Sequence, residues 1–305
     1  MRAQSCFSAY PLALREHGRQ ALMTIKHQST TLFCSETFSV IDFVCRSQER
    51  SFGPLEVSDA HYIVLVRRGT FAKRVGFSNW LSTPASFTFF NPGEEYRVAH
   101  PTGSGDECTA IRLDPTALDG LAHSVDVPSL SNSRLPQSSP SVVPAKLFQE
   151  HWRLFKLAQA ASYDHCSMEE RTVNFVLAAA SSAFVDQAAT ATHQQLTRHQ
   201  LSVVGNAAEF IASSYTQSHS LADVATHVGT TPFHLSRLFR AGTGYSICEF
   251  RNQLRLREAM RRIALGEKNL LALALDLGFC HHGHLGRHFK KIFGASPSEF
   301  RAELD

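Results

Sequence analysis

Leu221-Ala-Asp-Val-Ala-Thr-His-Val-Gly229 runs directly into Thr230-Thr-Pro-Phe-His-Leu-Ser-Arg-Leu-Phe-Arg240, and the reading of this stretch decides the fold. Ser220 can cap a helix over the first half, with Asp223 near its positive N-terminus. Gly229 supplies the backbone freedom that a tight helix end requires. Thr231 then caps a second helix, and Pro232 fits its first position. At about 100° per residue, Leu235, Leu238 and Phe239 share one face of that helix, while Phe233, Ser236, Arg237 and Arg240 cluster on the opposite one. Burying the second face would strand two guanidinium groups away from water, which is costly without partners. In a major groove the same arginines meet guanine edges or phosphates, Ser236 meets a base edge and Phe233 a thymine methyl. The plainer alternative is a solvated face with an incidental aromatic.

The pattern recurs downstream. Leu270-Leu-Ala-Leu-Ala-Leu-Asp-Leu-Gly278 is followed by Phe279-Cys-His-His-Gly-His-Leu-Gly-Arg-His-Phe-Lys290, again helix, glycine turn and helix. Ala225 and Ala274 each lie four residues before the turn glycine, where two helices must approach closely. The second copy places Gly283 and Gly286 at groove-facing positions, where there is no side chain to read with, and each glycine costs the helix roughly 1 kcal/mol relative to alanine. The first helix is therefore expected to read sequence, while Arg287, Lys290 and Lys291 mostly anchor the second. The run Cys280-His-His-Gly-His284 raises the thought of zinc, but adjacent residues of one helix cannot all point at one ion, and a polar helix start is expected instead. Ser246–Leu265 between the copies predicts a helix; an 18-residue helix there would be about 27 Å long. Successive major grooves recur every ~34 Å, so such a strut would favour slight bending of the DNA.

Charge is distributed to match. Residues 200–305 carry 12 Lys/Arg against 9 Asp/Glu, whereas residues 1–199 are balanced at 18 each. Arg237, Arg240, Arg251, Arg255, Arg257, Arg261 and Arg262 face only Glu249 and Glu258, the asymmetry expected of a phosphate-binding surface, although basic helices are also common solvated faces.

"LSRLFRAGTG" (235–244), the Arg251-to-Ala259 stretch, "LDLGF" (275–279) and "RHFKKIFGASPSEFR" (287–301) resemble the DNA-binding domain of the AraC/XylS family of bacterial transcription regulators. The likeness spans about Val203–Arg301, including both units, the connecting helix and the closing Gly-x-Ser-Pro-x-x-Phe-Arg. It implies base contacts from Pro232, Phe233, Ser236 and Arg237 in the first unit and from His282, Gly283, Gly286 and Arg287 in the second, with Arg240 and Lys290 nearer the phosphates.

The preceding residues read differently. Phe38–Val44, His61–Arg67, Phe71–Val75, Ser86–Phe90 and Cys108–Leu113 are short runs rich in Val, Ile, Phe and Thr, bounded by Gly/Pro/Asn turns, and suggest a small β-sandwich or barrel. A Pro/Ser-rich loop over 128–144 leads into two amphipathic helices, about 145–161 and 168–186, which either supply a dimer face or serve as internal core. "HYIVLVRRGTF" (61–71), "FFNPGEEYRVAHP" (89–101) and "GDECTAIRL" (105–113) resemble the cupin-like sensing and oligomerising domain found in many members of the same family. That implies a cupin-like β-barrel with packed helices, a small-molecule effector of unknown identity, a homodimer and, for an activator, contact with RNA polymerase. The expected class is α+β in two domains: a lead-in over 1–30, a sensing domain over 31–187, a linker over 188–199 and an all-α double helix-turn-helix domain over 200–305.

No metal or other cofactor is expected, because His61 and His100 stand alone with Glu94 and Glu95 in a turn, whereas a cupin metal site clusters histidines and a glutamate on facing strands. Tyr96 and Arg97 flank a strand as pocket groups or exposed side chains. The seven cysteines are scattered without a CxxC pair, which argues against a disulfide scaffold or structural zinc; Cys45 and Cys108, on strands, are expected to be buried thiols rather than redox sensors. The most apolar stretch, Phe175–Val185, is too short to span a bilayer, and a reduced, cytoplasmic protein is expected. Two rivals to a transcription regulator, an activator by the leaning of the resemblance, are a DNA-repair or modifying enzyme using the same module and a sequence-blind architectural protein. The first lacks any cysteine with a local nucleophile signature, so no catalytic residue is assigned; the second predicts equal affinity for every duplex.

Overall fold

The computed structural model describes residues 27–114, 118, 134–136, 141–160, 163–191 and 196–304. Ten strands are described: β1 (His27–Cys34), β2 (Phe38–Cys45), β3 (Glu56–Val57), β4 (His61–Gly69), β5 (Phe71–Val75), β6 (Ser78–Ser82), β7 (Ser86–Phe90), β8 (Glu95–Ala99), β9 (Asp106–Leu113) and β10 (Ser141–Val142). They form two antiparallel sheets, β1-β2-β9-β4-β7-β10 and β3-β8-β5-β6. The sheets keep open edges, so the β unit is a two-sheet layer structure and not a closed barrel.

The larger sheet is buried on both faces, which explains why β4 reads as a nearly unbroken apolar run. Ile63, Leu65, Ile111 and Leu113 point toward helices, and Val64, Val66 and Cys108 point toward Phe71 and Phe90 between the sheets. Period-2 alternation within one strand thus serves two cores. Against the helical side pack α1 (Ala145–Ala160) and α2 (His165–Ala191). Their apolar side chains, among them Phe148, Trp152, Phe155, Phe175 and Val176, are core of this chain, so of the two uses expected for these stripes the structure shows the internal one. Helix α2 runs through residues 188–191 of the expected linker, and residues 27–30 of the expected lead-in open β1; residues 1–26 and 192–195 lie outside the described residues.

The C-terminal part is all helix: α3 (Arg198–Ser213), α4 (Leu221–His227), α5 (Pro232–Thr243), α6 (Ile247–Ala264), α7 (Leu270–Asp276), α8 (His282–Phe293) and α9 (Pro297–Ala302). The duplication shows in the packing. Val203, Val204, Ala207 and Ile211 of α3 close one core with Val224, Ala225, Leu235, Leu238 and Phe239 of α4 and α5. Helix α6 presents Phe250 and Leu254 to that core, and Leu256, Met260 and Ile263 to a second one with Leu273, Ala274, Leu285 and Phe289. It is at once the strut between the two units and the first helix of the second.

The two parts share an interface. Phe148 of α1 stacks on Phe293 of α8 with ring centroids 6.5 Å apart, and the core around α1 is continuous with that of the second helix-turn-helix unit. Arg153 pairs with Glu303, and Arg261 of α6 lies 4.0 Å from Glu107 of β9.

Candidate nucleic-acid interface

Local chemistry builds the first recognition helix. The Ser220 hydroxyl accepts from the Asp223 N–H while the Asp223 carboxylate accepts from the Ser220 N–H, a reciprocal cap that holds this carboxyl below its usual range. Val228 closes α4, and Gly229 turns the chain at φ +67°. Thr231 accepts from the His234 N–H, Pro232 opens α5, and Gly244 ends it in the left-handed conformation. On α5, Leu235, Leu238 and Phe239 are buried; Pro232, Phe233, Ser236, Arg237 and Arg240 are all exposed, Phe233 to 89%. A large aromatic left that bare at the start of a capped helix is not packed into the core of the described residues. Arg240 bonds Glu249 at 3.1 Å, an exposed pair of small energetic value that can open to another anion.

The second unit repeats the geometry with different residues. Gly278 turns at φ +75°, where any Cβ would lie 2.4 Å from the Thr216 carbonyl oxygen, so no other residue fits. Helix α8 is capped by His281, whose Nδ1 accepts from the His284 N–H at 3.1 Å. Leu285, Phe289 and Phe293 are buried. His282, Arg287, Lys290 and Lys291 are exposed, and Gly283 and Gly286 are half-buried on the same helix. A Cβ on Gly286 would meet nothing within 4 Å. Burial and the neighbouring His284, Lys291 and Arg287 all hold His288 below the ordinary histidine value.

The basic face counted from sequence needs a correction. Arg255 is buried and donates to the carbonyls of Tyr215, Thr216, Gln217 and Gly278 at 2.6–3.2 Å, binding the loop between α3 and α4 to the turn of the second unit. Arg257 is buried against the β unit. Arg251 donates to the His219 carbonyl, Arg261 chelates Glu258, and Arg262 bridges Glu267 and Asp276. Among the described residues of α5 and α8, the exposed cations outside an ion pair are Arg237, Arg287, Lys290 and Lys291.

Residues expected to stand alone in the β unit do not. His61 Nδ1 lies 3.0 Å from Asn91 Oδ1, and Asn91 in turn holds the backbone of Leu135. Glu94 pairs with buried Lys73, and Arg97 donates to the Gly53 carbonyl. His100 donates to Asp106 at 2.8 Å beside Cys45, a grouping that sequence spacing did not reveal. Burial alone would depress His100, but Asp106 and Cys45 override it and raise its pKa to about 9. Cys45 and Cys108 are buried, and burial first, then Asp106, pushes the Cys108 thiol up.

Known proteins share this C-terminal architecture. Residues 224–303 match the helix-turn-helix domain family. The HTH-type transcriptional activator AarP of Providencia stuartii is 30% identical over 105 residues, which make up 34% of this chain and 78% of that protein. The chain belongs to the AraC/XylS family of transcription regulators. Family membership rests on the C-terminal third: the arabinose operon regulatory protein of Salmonella typhimurium is 36% identical over 100 residues, and the chain spans only 36% of its length. Among solved structures, ToxT of Vibrio cholerae aligns over 88% of this chain and 98% of its own, at 11% identity and a TM-score of 0.33, too loose a likeness to decide anything further. For this family member, no helix among the described residues is long and apolar enough to cross a membrane.

Proposed function

We propose that this chain is a cytoplasmic, sequence-specific transcription activator that places α5 and α8 in adjacent major grooves of double-stranded DNA. The carrying observation is the division of α5 into a sealed face of Leu235, Leu238 and Phe239 and an open one of Phe233, Ser236 and Arg237. Arg237 reads a base edge, Phe233 covers a thymine methyl, and Pro232 and Ser236 border them; Arg240 reaches a phosphate. On α8, Arg287, Lys290 and Lys291 anchor the backbone, and His282 with the two glycines lets the helix lie close to it. The name of the relative AarP supports the activating sign. The 31–187 segment acts as the sensing and dimerising unit and 200–305 as the DNA-binding unit. A cleft of about 540 Å³ lined by β2, β4, β9, α3 and α6 offers an effector contact with both.

Competition binding of full-length protein at fixed salt tests this. Arg237→Ala should cost about 1–3 kcal/mol and relax preference at one base position, whereas Arg287→Ala should weaken all duplexes alike. Equal loss of discrimination from both substitutions, or equal affinity of the native protein for all duplexes, would refute it.

A further inference from the structure

At one end of the β unit three metal-ligating side chains of different chemistry converge from separate strands. Cys45 is the last residue of β2, His100 follows β8, and Asp106 is the first of β9. One donor atom from each lies within 4.8 Å of the other two, and all three residues are buried. We propose that Cys45, His100 and Asp106 form a binding site for a borderline-soft divalent cation of the zinc class, its fourth position open to the cleft between the β unit and the helical part. The assignment is independent of the DNA-binding reading.

The scaffold is shaped before any ion arrives. Cys45 pairs directly with Asp106 across the β2–β9 ladder, and Gly69 of β4 pairs with Asp106 from the other side. Gly105 turns at φ +66°, where a Cβ would sit 2.2 Å from the Cys45 carbonyl oxygen, and Gly69 is held as tightly against Gly105. The His100 N–H donates to Glu49 and its carbonyl accepts from Gly103, so its backbone is tied on both sides. The Cys108 thiol donates to Asp106 Oδ2 at 3.0 Å and orients the carboxylate as an outer-shell partner would.

Little movement is required. Two light donors at about 2.0 Å from a tetrahedral zinc stand roughly 3.3 Å apart, and a thiolate at about 2.3 Å stands roughly 3.5 Å from each. His100 Nε2 and Asp106 Oδ1 are 2.8 Å apart, so closing the set needs side-chain shifts of about 1 Å, within rotamer adjustment. Charge and softness agree. The sole ion-pair partner of Asp106 among the described residues is His100. A thiolate and a carboxylate around a dication leave a neutral assembly, which a buried corner tolerates. One sulfur, one nitrogen and one oxygen suit zinc or cobalt better than magnesium or calcium, which prefer all-oxygen shells. Cys45 and Asp106 also line the 540 Å³ cleft, which gives the ion a way in and leaves one coordination position for water.

The test is titration of reduced, metal-stripped full-length protein with Co²⁺, followed by Zn²⁺ competition. One equivalent of Co²⁺ per chain should bring up a tetrahedral d–d spectrum with a sulfur-to-metal charge-transfer band, bleached by Zn²⁺. Cys45→Ser should abolish that band. His100→Gln, which keeps every thiol and so covers the case in which Cys45→Ser fails to fold, should weaken binding by more than ~100-fold, and Cys108→Ser by about 10–100-fold with the band retained. The C6S/C34S/C166S/C248S/C280S variant, which lacks every cysteine outside the corner, should bind like the native chain. A native chain without the band, a band that survives Cys45→Ser, unchanged affinity in His100→Gln, or loss of the band in the five-cysteine variant would each overturn the site in favour of a purely hydrogen-bonded corner.

Discussion

Arg257, on the helix that joins the two helix-turn-helix units, donates a 2.7 Å hydrogen bond to the backbone carbonyl of Val143, 114 residues earlier in the chain. Its guanidinium carbon also lies 4.4 Å from the centre of the Phe148 ring, and burial lowers its pKa to about 10. A cation so enclosed ties the strut of the DNA-binding unit to the segment entering α1.

Truncating that side chain removes a charge-assisted hydrogen bond, leaves the Val143 carbonyl unmet in a dry site and opens a cavity. Arg257→Ala should lower unfolding free energy by about 2–4 kcal/mol in urea titration. Arg251→Ala, at a half-buried position where one hydrogen bond to the His219 carbonyl disappears, should cost about 1 kcal/mol. Comparable losses from both would mean that Arg257 does not hold the interface.

His151 gives the fold a pH dependence. It is fully buried, and desolvation, followed by the charges of Arg67 and Arg257, depresses its pKa to about 3; Thr109 Oγ1 lies 2.7 Å from Nε2. The unfolded chain takes up a proton near pH 6.5 that the folded chain refuses, so this residue makes stability fall as pH drops below that value. Between pH 7.5 and 5.5 the loss should be about 1.4 kcal/mol. In urea titrations at the two pH values the native protein should lose about 1.4 kcal/mol more than His151→Gln does, a difference from which His100, whose raised pKa acts with the opposite sign in both proteins, drops out. An identical pH slope in both would contradict the assignment.

Which of these features can be read from the chain depends on how far their causes reach. The first helix-turn-helix unit is legible because Ser220, Thr231 and Pro232 act within three residues of where they stand. Helix α3 opens on a Thr197–Gln200 capping box, but its buried face is mostly small or β-branched, Val203, Val204, Ala207 and Ala208, so it leaves no clear periodic signal. Strand β6, Ser78–Ser82, is too polar and exposed to read as a strand. Arg255 looks like its surface neighbours because its partners are carbonyls about 40 residues back in the chain. The grouping of Cys45, His100 and Asp106 exists only through sheet register, which no local pattern encodes.

Exposed lysines on α8 should reveal themselves through salt. Lys290 and Lys291 lie in the last turn of the helix, exposed and away from the positions of α5 proposed to read bases. Every phosphate that the protein ceases to neutralise takes about 0.9 off the slope of log affinity against log salt. Lys290→Ala and Lys291→Ala should each flatten that slope by about 1 without altering the ranking of operator variants, as measured by fluorescence anisotropy across a salt series. A changed ranking would move these residues into the base-reading set.

Gly286 separates what helix stability wants from what the groove permits. It lies inside α8, and a Cβ there would meet no atom within 4 Å, so the free protein has no steric use for glycine at this position. Relative to glycine, alanine loses less backbone freedom on folding and gains roughly 1 kcal/mol in a helix interior. Gly286→Ala should therefore raise unfolding free energy by about 1 kcal/mol. On the DNA, the added methyl stands on the face that approaches the groove, beside Arg287 and one turn before Lys290. If α8 lies close against the backbone, affinity should drop for every duplex equally, with operator preference intact under the role proposed for α5. Paired denaturation and competition binding check both halves. A variant that gains stability and keeps full affinity would show that α8 stands off the duplex, and one that loses stability would show that the open space at Gly286 is filled in solution.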